Sequence, residues 1–195
     1  MVYSKNKSKP KLVIHITGSQ GSGKTTIGKY FTKTFGDAIV VEDIDDLQAI
    51  YASSNHHISF QAFLNKFIKS TKKPLVLVGL TAEKCLGEMN PDDERFYIID
   101  TPYRFYLDMN DEIILRQRFY RQIDKLSERK EYFFEEWKKN PDKTIKKLIR
   151  FININQWLDN NKLCRDFHTK YGYIFKSSKD IINEVEAILN AYLLS

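Results

Sequence analysis

The stretch that decides the fold is residues 17–26, which read Thr17-Gly18-Ser19-Gln20-Gly21-Ser22-Gly23-Lys24-Thr25-Thr26. A short β-branched apolar run, residues 12–16, comes directly before it and is typical of a buried parallel strand. Directly after it, apolar residues recur at helical spacing as far as Phe35, and Gly36 is a typical helix stop. The sequence therefore predicts a strand, a glycine-rich turn and a helix in immediate succession.

The turn has the composition of a phosphate-binding loop, because Gly18 to Thr25 fits the pattern G-x-x-x-x-G-K-T. Glycines let the backbone turn tightly and point successive N–H groups at phosphate oxygens, and the helix N-terminus adds partial positive charge. Lys24 can reach the β- and γ-phosphates of a nucleotide, and the Thr25 hydroxyl can bind magnesium. We expect the phosphate contacts to come from Gly18, Ser19, Gln20, Gly21, Ser22, Gly23, Lys24, Thr25 and Thr26.

The rest of the chain alternates short apolar runs with helical patterns. Four further strands are predicted, at residues 38–41, 75–78, 96–100 and 171–175. This alternation indicates an α/β fold of three layers, with a mostly parallel five-stranded sheet and helices on both faces. We expect one domain, residues 11–195, in which residues 104–165 form a helical lid or insert, preceded by a flexible basic arm, residues 1–10.

Composition excludes several classes of protein. Of 195 residues, 42% are hydrophobic and 29% charged, which fits a globular domain rather than a disordered chain. Cys85 and Cys164 lie far apart without other ligands at metal-binding spacing, so we expect a reduced, cytoplasmic protein. The apolar runs are too short to span a membrane, and the N-terminal region lacks the pattern of a secretory signal.

The charge favours an anionic partner. Thirty-one basic residues against 25 acidic ones give a net charge of +6, and the first 24 positions contain five lysines and no acid. A phosphate-rich small molecule, a nucleic acid and a plain solvated surface are all compatible with this balance.

On the residues quoted above, the chain resembles the P-loop nucleoside triphosphatase superfamily. Gly21–Thr26 and the short length are similar to the small nucleotide and small-molecule kinases, of the nucleoside monophosphate kinase and shikimate kinase type. The resemblance implies ATP and Mg²⁺ as cofactors and a sheet with the P-loop strand near its centre. A guanine-specific switch is not favoured, because the chain lacks an Asn-Lys-x-Asp element.

Two acidic segments are candidates for the metal and the catalytic base. Asp43 and Asp45 follow the second predicted strand, and they resemble the Asp-x-Asp of shikimate-kinase-like enzymes. By that resemblance Asp43 would hold magnesium through water and Asp45 would deprotonate the acceptor hydroxyl; the alternative is that both acids cap a helix. Asp100 ends a predicted apolar strand, as the metal-binding acid of P-loop proteins does, and its alternative is an Asp-Thr-Pro turn.

Arginines in the helical insert are candidates for stabilising the charge of phosphoryl transfer. Arg116 can pair with Glu112 at helical spacing. Arg118 has no acid three or four residues away and Arg121 shares its face, so these two are the predicted catalytic arginines, with a solvated helix as the alternative. We expect His15 to be a hydrogen-bonded core residue, and the aromatic residues between Tyr132 and Trp137 to pack the insert on the sheet.

Three functions remain open from the sequence. The first is a kinase that moves the γ-phosphoryl group of ATP to a small acceptor, a nucleoside or nucleotide. The second is a polynucleotide 5′-hydroxyl kinase, which the basic N-terminal region favours. The third is an ATP-dependent switch or binding module that no small acceptor accelerates.

Overall fold

A computed structural model describes residues 10–19, 21–54, 58–79, 99–109 and 112–195. Its centre is a five-stranded, all-parallel sheet in the order β2-β3-β1-β4-β5. The strands are β1 (Val13–Gly18), β2 (Val40–Asp43), β3 (Leu75–Val78), β4 (Tyr103–Leu107) and β5 (Ile174–Lys176). The predicted α/β class and the central position of β1 are confirmed.

Eight α-helices are present in the described residues. They are α1 (Lys24–Phe35), α2 (Ile44–Ser53), α3 (Phe60–Ser70), α4 (Glu112–Ser127), α5 (Lys130–Lys139), α6 (Pro141–Ile152), α7 (Ile154–Lys170) and α8 (Ser178–Leu194). No helix in this part of the chain is long and apolar enough to cross a bilayer. The predicted basic arm lies outside the described residues, except for Pro10.

Alternation along β1 explains why helices cover both faces of the sheet. Ile14 and Ile16 point to one face, where they pack with α1 and α8 through residues such as Phe31 and Val185. Val13 points to the other face, which packs with apolar residues of α2 and α3. Buried on both sides, the strand needs apolar residues at nearly every position, and this requirement produces the continuous run seen in the sequence.

The fourth strand differs from the prediction. Residues 96–98 lie outside the described part of the chain, Asp100 is not in a strand, and β4 begins at Tyr103. The segment between them is fixed by Thr101, whose hydroxyl donates to the Val13 carbonyl and accepts from the Tyr103 N–H. Arg104 conceals the β4 pattern in the sequence, because a basic residue interrupts its apolar run.

The boundaries of the insert change accordingly. Residues 104–107 belong to the sheet, so placing the start of the insert at residue 104 was wrong; the helices between β4 and β5 run from α4 to α7. The insert forms four helices, with breaks at residues 128–129, 140 and 153. The predicted ion pair between Arg116 and Glu112 is confirmed, with 2.8 Å from Nε to Oε1.

The aromatic residues of α5 were wrongly expected to pack on the sheet. Tyr132, Phe134 and Trp137 are each about half exposed, at 54%, 54% and 45%. The core next to β4 is filled instead by residues of the sheet and of α7, among them Tyr106 and His168. Three large rings of α5 are therefore exposed.

Candidate functional site

The candidate site lies where the carboxyl ends of four parallel strands meet. In the sheet register Gly18 is opposite Leu107, and Asp43 is opposite Val78. The segments that leave β1, β2, β3 and β4 therefore emerge at one edge, which we call the carboxyl edge. Open α/β sheets bind their ligands at this edge.

The glycine-rich loop, residues 18–23, follows β1 at the carboxyl edge. Gly21 and Gly23 have φ angles of 75° and 99°, a left-handed conformation that favours glycine, and the Ser22 N–H donates to the Ser19 carbonyl at 3.1 Å. Gly23 is the N-cap of α1, whose first turn has neither a side-chain cap nor an acid. The loop thus delivers uncapped N–H groups of a helix to the carboxyl edge.

Lys24 lies against the backbone of this loop. Its Nζ donates to the carbonyl oxygens of Gly18, at 2.9 Å, and of Ser19, at 3.0 Å. The ammonium group is therefore held over the loop rather than in bulk solvent. A cation in this position complements an anion that the loop N–H groups bind. Gln20 lies outside the described residues, and Thr26 is exposed in the first turn of α1.

Two serine hydroxyls of the loop are buried without hydrogen-bond partners among the described residues. Ser19 is 4% exposed and Ser22 is 2% exposed. A buried hydroxyl without a partner is unfavourable by roughly 1–3 kcal/mol, so such groups are uncommon in structural turns. A Cβ on Gly18 would approach the Ser22 hydroxyl to 2.8 Å, which explains why glycine begins the loop.

Asp43 joins the glycine-rich loop to β2. The Thr25 hydroxyl donates to Asp43 Oδ2 at 3.2 Å, while Asp43 Oδ1 accepts from the N–H of Asp45 at 3.0 Å. One carboxylate is therefore both the N-cap of α2 and the partner of Thr25, so helix capping, one of the two alternatives from the sequence, is observed for Asp43. Gly79 allows this packing, because a Cβ there would lie 2.9 Å from Ile44 Cβ.

The hydroxyl of Thr25 and the carboxylate of Asp43 fit a magnesium ion. Mg²⁺ binds oxygen ligands, usually takes one or two from the protein and keeps several waters. In the described residues no group of three or more His, Cys, Asp and Glu side chains could form a fuller metal cage. Two oxygen ligands from the protein suit a magnesium ion whose other ligands are water and phosphate oxygens.

Asp45 lies beside this pair, in the first turn of α2, with its side chain exposed. The structure therefore brings Lys24, Thr25, Asp43 and Asp45 to the carboxyl edge, as predicted. Asp100 is exposed at the opposite edge, because it precedes β4, and Tyr103 at the start of β4 pairs with Ile14 near the start of β1. The structure therefore does not bring Asp100 to Thr25 and Asp43, and the Asp-Thr-Pro segment that begins with Asp100 is not part of a strand.

Asp108 occupies the position that Asp100 was expected to hold. It directly follows Leu107, the residue opposite Gly18, and its N–H donates to the Lys176 carbonyl at 3.0 Å. The sequence carried a signal for it, since Phe105-Tyr106-Leu107 is an apolar run that ends in an acid. The run was missed because Arg104 interrupts the apolar residues of β4.

An arginine from α7 reaches the carboxyl edge at Asp108. Arg165 forms an ion pair with Asp108, and its guanidinium lies 5.5 Å from the centre of the Phe175 ring. Of the predicted arginines, Arg121 is exposed on α4, and nothing is described of the Arg118 side chain. The sequence prediction missed Arg165, because it relied on the spacing of charges along a single helix. The contacts of Arg165 with Asp108 and Phe175 depend instead on how α7 packs in the folded chain.

A cavity of about 740 Å³ continues from Asp108 along the ends of β4 and β5 to the start of α8. The ion pair between Lys176 and Glu184 lies in its wall. Ser177 caps α8 by accepting from the N–H of Asp180 at 3.2 Å. The lining is polar and charged, and consists of Asp108, Phe175, Lys176, Ser177, Asp180, Asn183 and Glu184.

Below the edge, His15 is a core residue, as predicted. It is fully buried, its Nε2 donates to the Gly79 carbonyl at 3.3 Å, and its Nδ1 accepts from the Tyr173 hydroxyl at 2.7 Å. Burial, and next the nearby His168, lower the pKa of His15 to about 3. Burial lowers the pKa of His168 to about 4. Both imidazoles are neutral at physiological pH.

These two histidines should make the protein less stable in acid. Because their pKa values are lower in the folded chain than the unfolded value of 6.5, the unfolded chain binds more protons below that pH. Each histidine then lowers the free energy of unfolding by up to about 1.4 kcal/mol per pH unit, between pH 6.5 and its folded-state pKa. Urea unfolding at pH 7.5, 6.0 and 5.0 measures the loss.

Nuclear magnetic resonance of the imidazole protons assigns this effect to its source. The chain has four histidines, and we expect at least two of them to keep the chemical shifts of the neutral form at pH 5.0. Titration of all four with midpoints between pH 6 and 7 would contradict the buried, neutral state of His15 and His168.

Neither a scan against protein-family models nor a search of the curated proteins finds a match to this chain. What the carboxyl edge does must therefore be inferred from its own residues.

Proposed function

We propose that this protein binds ATP with Mg²⁺ at the carboxyl edge and transfers the γ-phosphoryl group to a small acceptor. The observation that carries the proposal is the cluster of Lys24, Thr25 and Asp43 around the glycine-rich loop. A cation, a hydroxyl and a carboxylate around a helix N-terminus that no side chain caps are the parts that a magnesium nucleotide needs. The buried hydroxyls of Ser19 and Ser22 support it, because phosphate oxygens would accept from them.

Each residue has a distinct role in the proposed reaction. Lys24 binds the β- and γ-phosphates and orients them. Thr25 and Asp43 would hold the metal, whose positive charge would offset that of the phosphate oxygens. Asp45, exposed beside them, accepts the proton of the acceptor hydroxyl as that oxygen bonds to the γ-phosphorus and ADP leaves with the bridging oxygen. Arg165 of α7 joins Arg118 and Arg121 as a candidate cation for the transferred group.

The acceptor is proposed to be a nucleoside or nucleotide, on the resemblance to the nucleotide kinases. A polynucleotide 5′-hydroxyl kinase is the second enzyme candidate, and a switch without an acceptor is the third. The three differ in one readout, which is the transfer of labelled γ-phosphate. We would measure it with a panel of nucleosides, nucleoside monophosphates, shikimate-like alcohols and 5′-hydroxyl oligonucleotides. Phosphate release that no acceptor accelerates would favour the switch.

Replacing Lys24 should abolish nucleotide-dependent activity. In Lys24→Ala the ammonium over the loop is lost, and we expect transfer or hydrolysis to fall at least a hundredfold. Lys29→Ala is the matched control, because it removes an exposed lysine of the same helix. Equal activity of the two variants would show that the loop does not bind the nucleotide.

Two substitutions at Asp43 separate helix capping from metal binding. Asparagine is as good an N-cap as aspartate, so Asp43→Asn should change the free energy of unfolding by less than about 0.5 kcal/mol, whereas Asp43→Ala should lower it by about 1 kcal/mol. Both variants should lose the magnesium dependence of ATP binding, measured by titration calorimetry. If Asp43→Asn keeps that dependence, Asp43 is a structural cap alone.

Asp45→Asn tests the catalytic base. We expect ATP binding to persist and transfer to fall about 10²- to 10⁴-fold, the range for loss of a general base. Asp46→Asn is the control, since Asp46 is an exposed acid in the same turn. Unchanged transfer in Asp45→Asn would exclude this residue as the base, while leaving the binding of ATP at the carboxyl edge intact.

A further inference from the structure

The outward side of the α5–α6 pair carries an unusual set of exposed rings. Tyr132, Phe134 and Trp137 lie within six residues of one another on α5, and each is about half exposed. Phe134 and Trp137 are neighbours, whereas Tyr132, two residues before Phe134, lies on another side of α5 and contacts Phe133. Single exposed apolar residues are ordinary, but neighbouring large rings on a surface mark an interaction site. We call these three rings, with the lysines around them, the α5–α6 aromatic surface.

A short connection holds the surface in shape. Asn140 ends α5 by donating its N–H to the Glu136 carbonyl at 3.0 Å, and it caps α6 by accepting from the Lys143 N–H at 3.0 Å. The Thr144 hydroxyl donates to the Asn140 carbonyl at 3.0 Å. Pro141 then fixes the first turn of α6. Because Asn140 makes hydrogen bonds with the last turn of α5 and the first turn of α6, the connection between the two helices is well defined.

Lysines alternate with the rings on this surface. Lys138 Nζ lies 4.5 Å from the centre of the Phe134 ring and also donates to Glu135 at 2.8 Å. Lys147 Nζ lies 5.4 Å from the centre of the Tyr132 ring. The rings of Phe134 and Trp137 are nearly parallel, with 16° between their planes and 6.2 Å between their centres.

Helices α5 and α6 together carry seven basic residues and four acids, and six of the basic residues lie between Lys138 and Arg150, where Asp142 is the one acid. Ile145 and Ile149, each about half exposed on α6, extend the apolar area between these charges. A partner that fits must supply flat apolar groups at intervals and a repeating negative charge. Unpaired bases on a phosphate backbone have both properties, and stacking platforms with basic side chains are how proteins bind single strands.

We propose that the α5–α6 aromatic surface binds single-stranded nucleic acid, with bases stacked on Phe134 and Trp137 and phosphates neutralised by Lys138, Lys146 and Lys147. The site lies on helices remote in sequence from the glycine-rich loop. It does not depend on the proposed phosphoryl transfer.

The rings are tested by fluorescence anisotropy of the full chain with fluorescein-labelled dT₂₀ and U₂₀ in 50 mM salt. Phe134→Ala with Trp137→Ala should weaken binding at least tenfold, because base stacking on an aromatic side chain contributes about 1–3 kcal/mol per base. Trp137→Phe, which keeps a ring, should stay within about threefold of the unaltered chain. Ile50→Ala, at an exposed isoleucine of α2, is the control for lost apolar area.

The charges are tested by salt dependence. Lys146→Ala with Lys147→Ala should reduce the slope of log affinity against log salt by about 1.4, since each single-strand phosphate contact contributes about 0.7. Lys72→Ala with Lys73→Ala removes the same charge from the exposed segment before β3 and should leave the slope unchanged.

Three results would overturn the proposal. One is unchanged oligonucleotide affinity in the double ring variant, with thermal melting showing that it folds. Another is that heparin displaces the labelled oligonucleotide equally well from the double ring variant and from the unaltered chain, which would show that charge alone binds the strand. The third is a dimer, seen by sedimentation, that the ring substitutions dissociate without changing oligonucleotide affinity. Lys24→Ala should bind dT₂₀ as the unaltered chain does. A failure of the proposed nucleotide binding is therefore distinguishable from a failure of the proposed nucleic-acid binding.

Discussion

The parallel register of β1 with β3 and β4 is the constraint on which the candidate site depends. With Gly18 opposite Leu107 and Ile16 opposite Val78, the segments after three strands leave the sheet at one level. The hydrogen bond from Thr25 to Asp43 then ties the start of α1 to the end of β2. An antiparallel neighbour would bring a strand's amino end to this edge, and the acid that follows it would lie at the far side of the sheet.

The core beneath the carboxyl edge contains two buried histidines, His15 and His168. His15 spans the space between Gly79 and Tyr173, so it links the end of β3 to the segment before β5 through the middle of the sheet. Burying a neutral imidazole with both nitrogens satisfied avoids the unfavourable burial of a charge. The same region also holds His168 of α7 against Tyr106 of β4. The helices between β4 and β5 are therefore anchored to the sheet at α7, while α5 carries its rings outward.

The two proposed activities use different parts of the molecule in compatible ways. The carboxyl edge offers uncapped N–H groups, a lysine and a carboxylate close together, which suits a compact polyphosphate. The α5–α6 aromatic surface offers rings and lysines spread over two helices, which suits an extended chain. Neither proposal requires the other, because the two sites are built from different elements of the fold.

The sequence by itself determined the features that local chemistry dictates. Residue types at short range predicted the glycine-rich loop, the helix after it and β3, and the alternation of strands and helices sets the α/β class. Only the tertiary structure decided that Asp108 rather than Asp100 ends β4 at the carboxyl edge, and that Arg165 reaches it. These positions depend on strand register and on the docking of α7, which no local pattern encodes. The exposure of the α5 rings was also decided by the tertiary structure. Their hydrophobicity predicted that they would pack on the sheet, but hydrophobicity alone does not determine which helices meet the sheet.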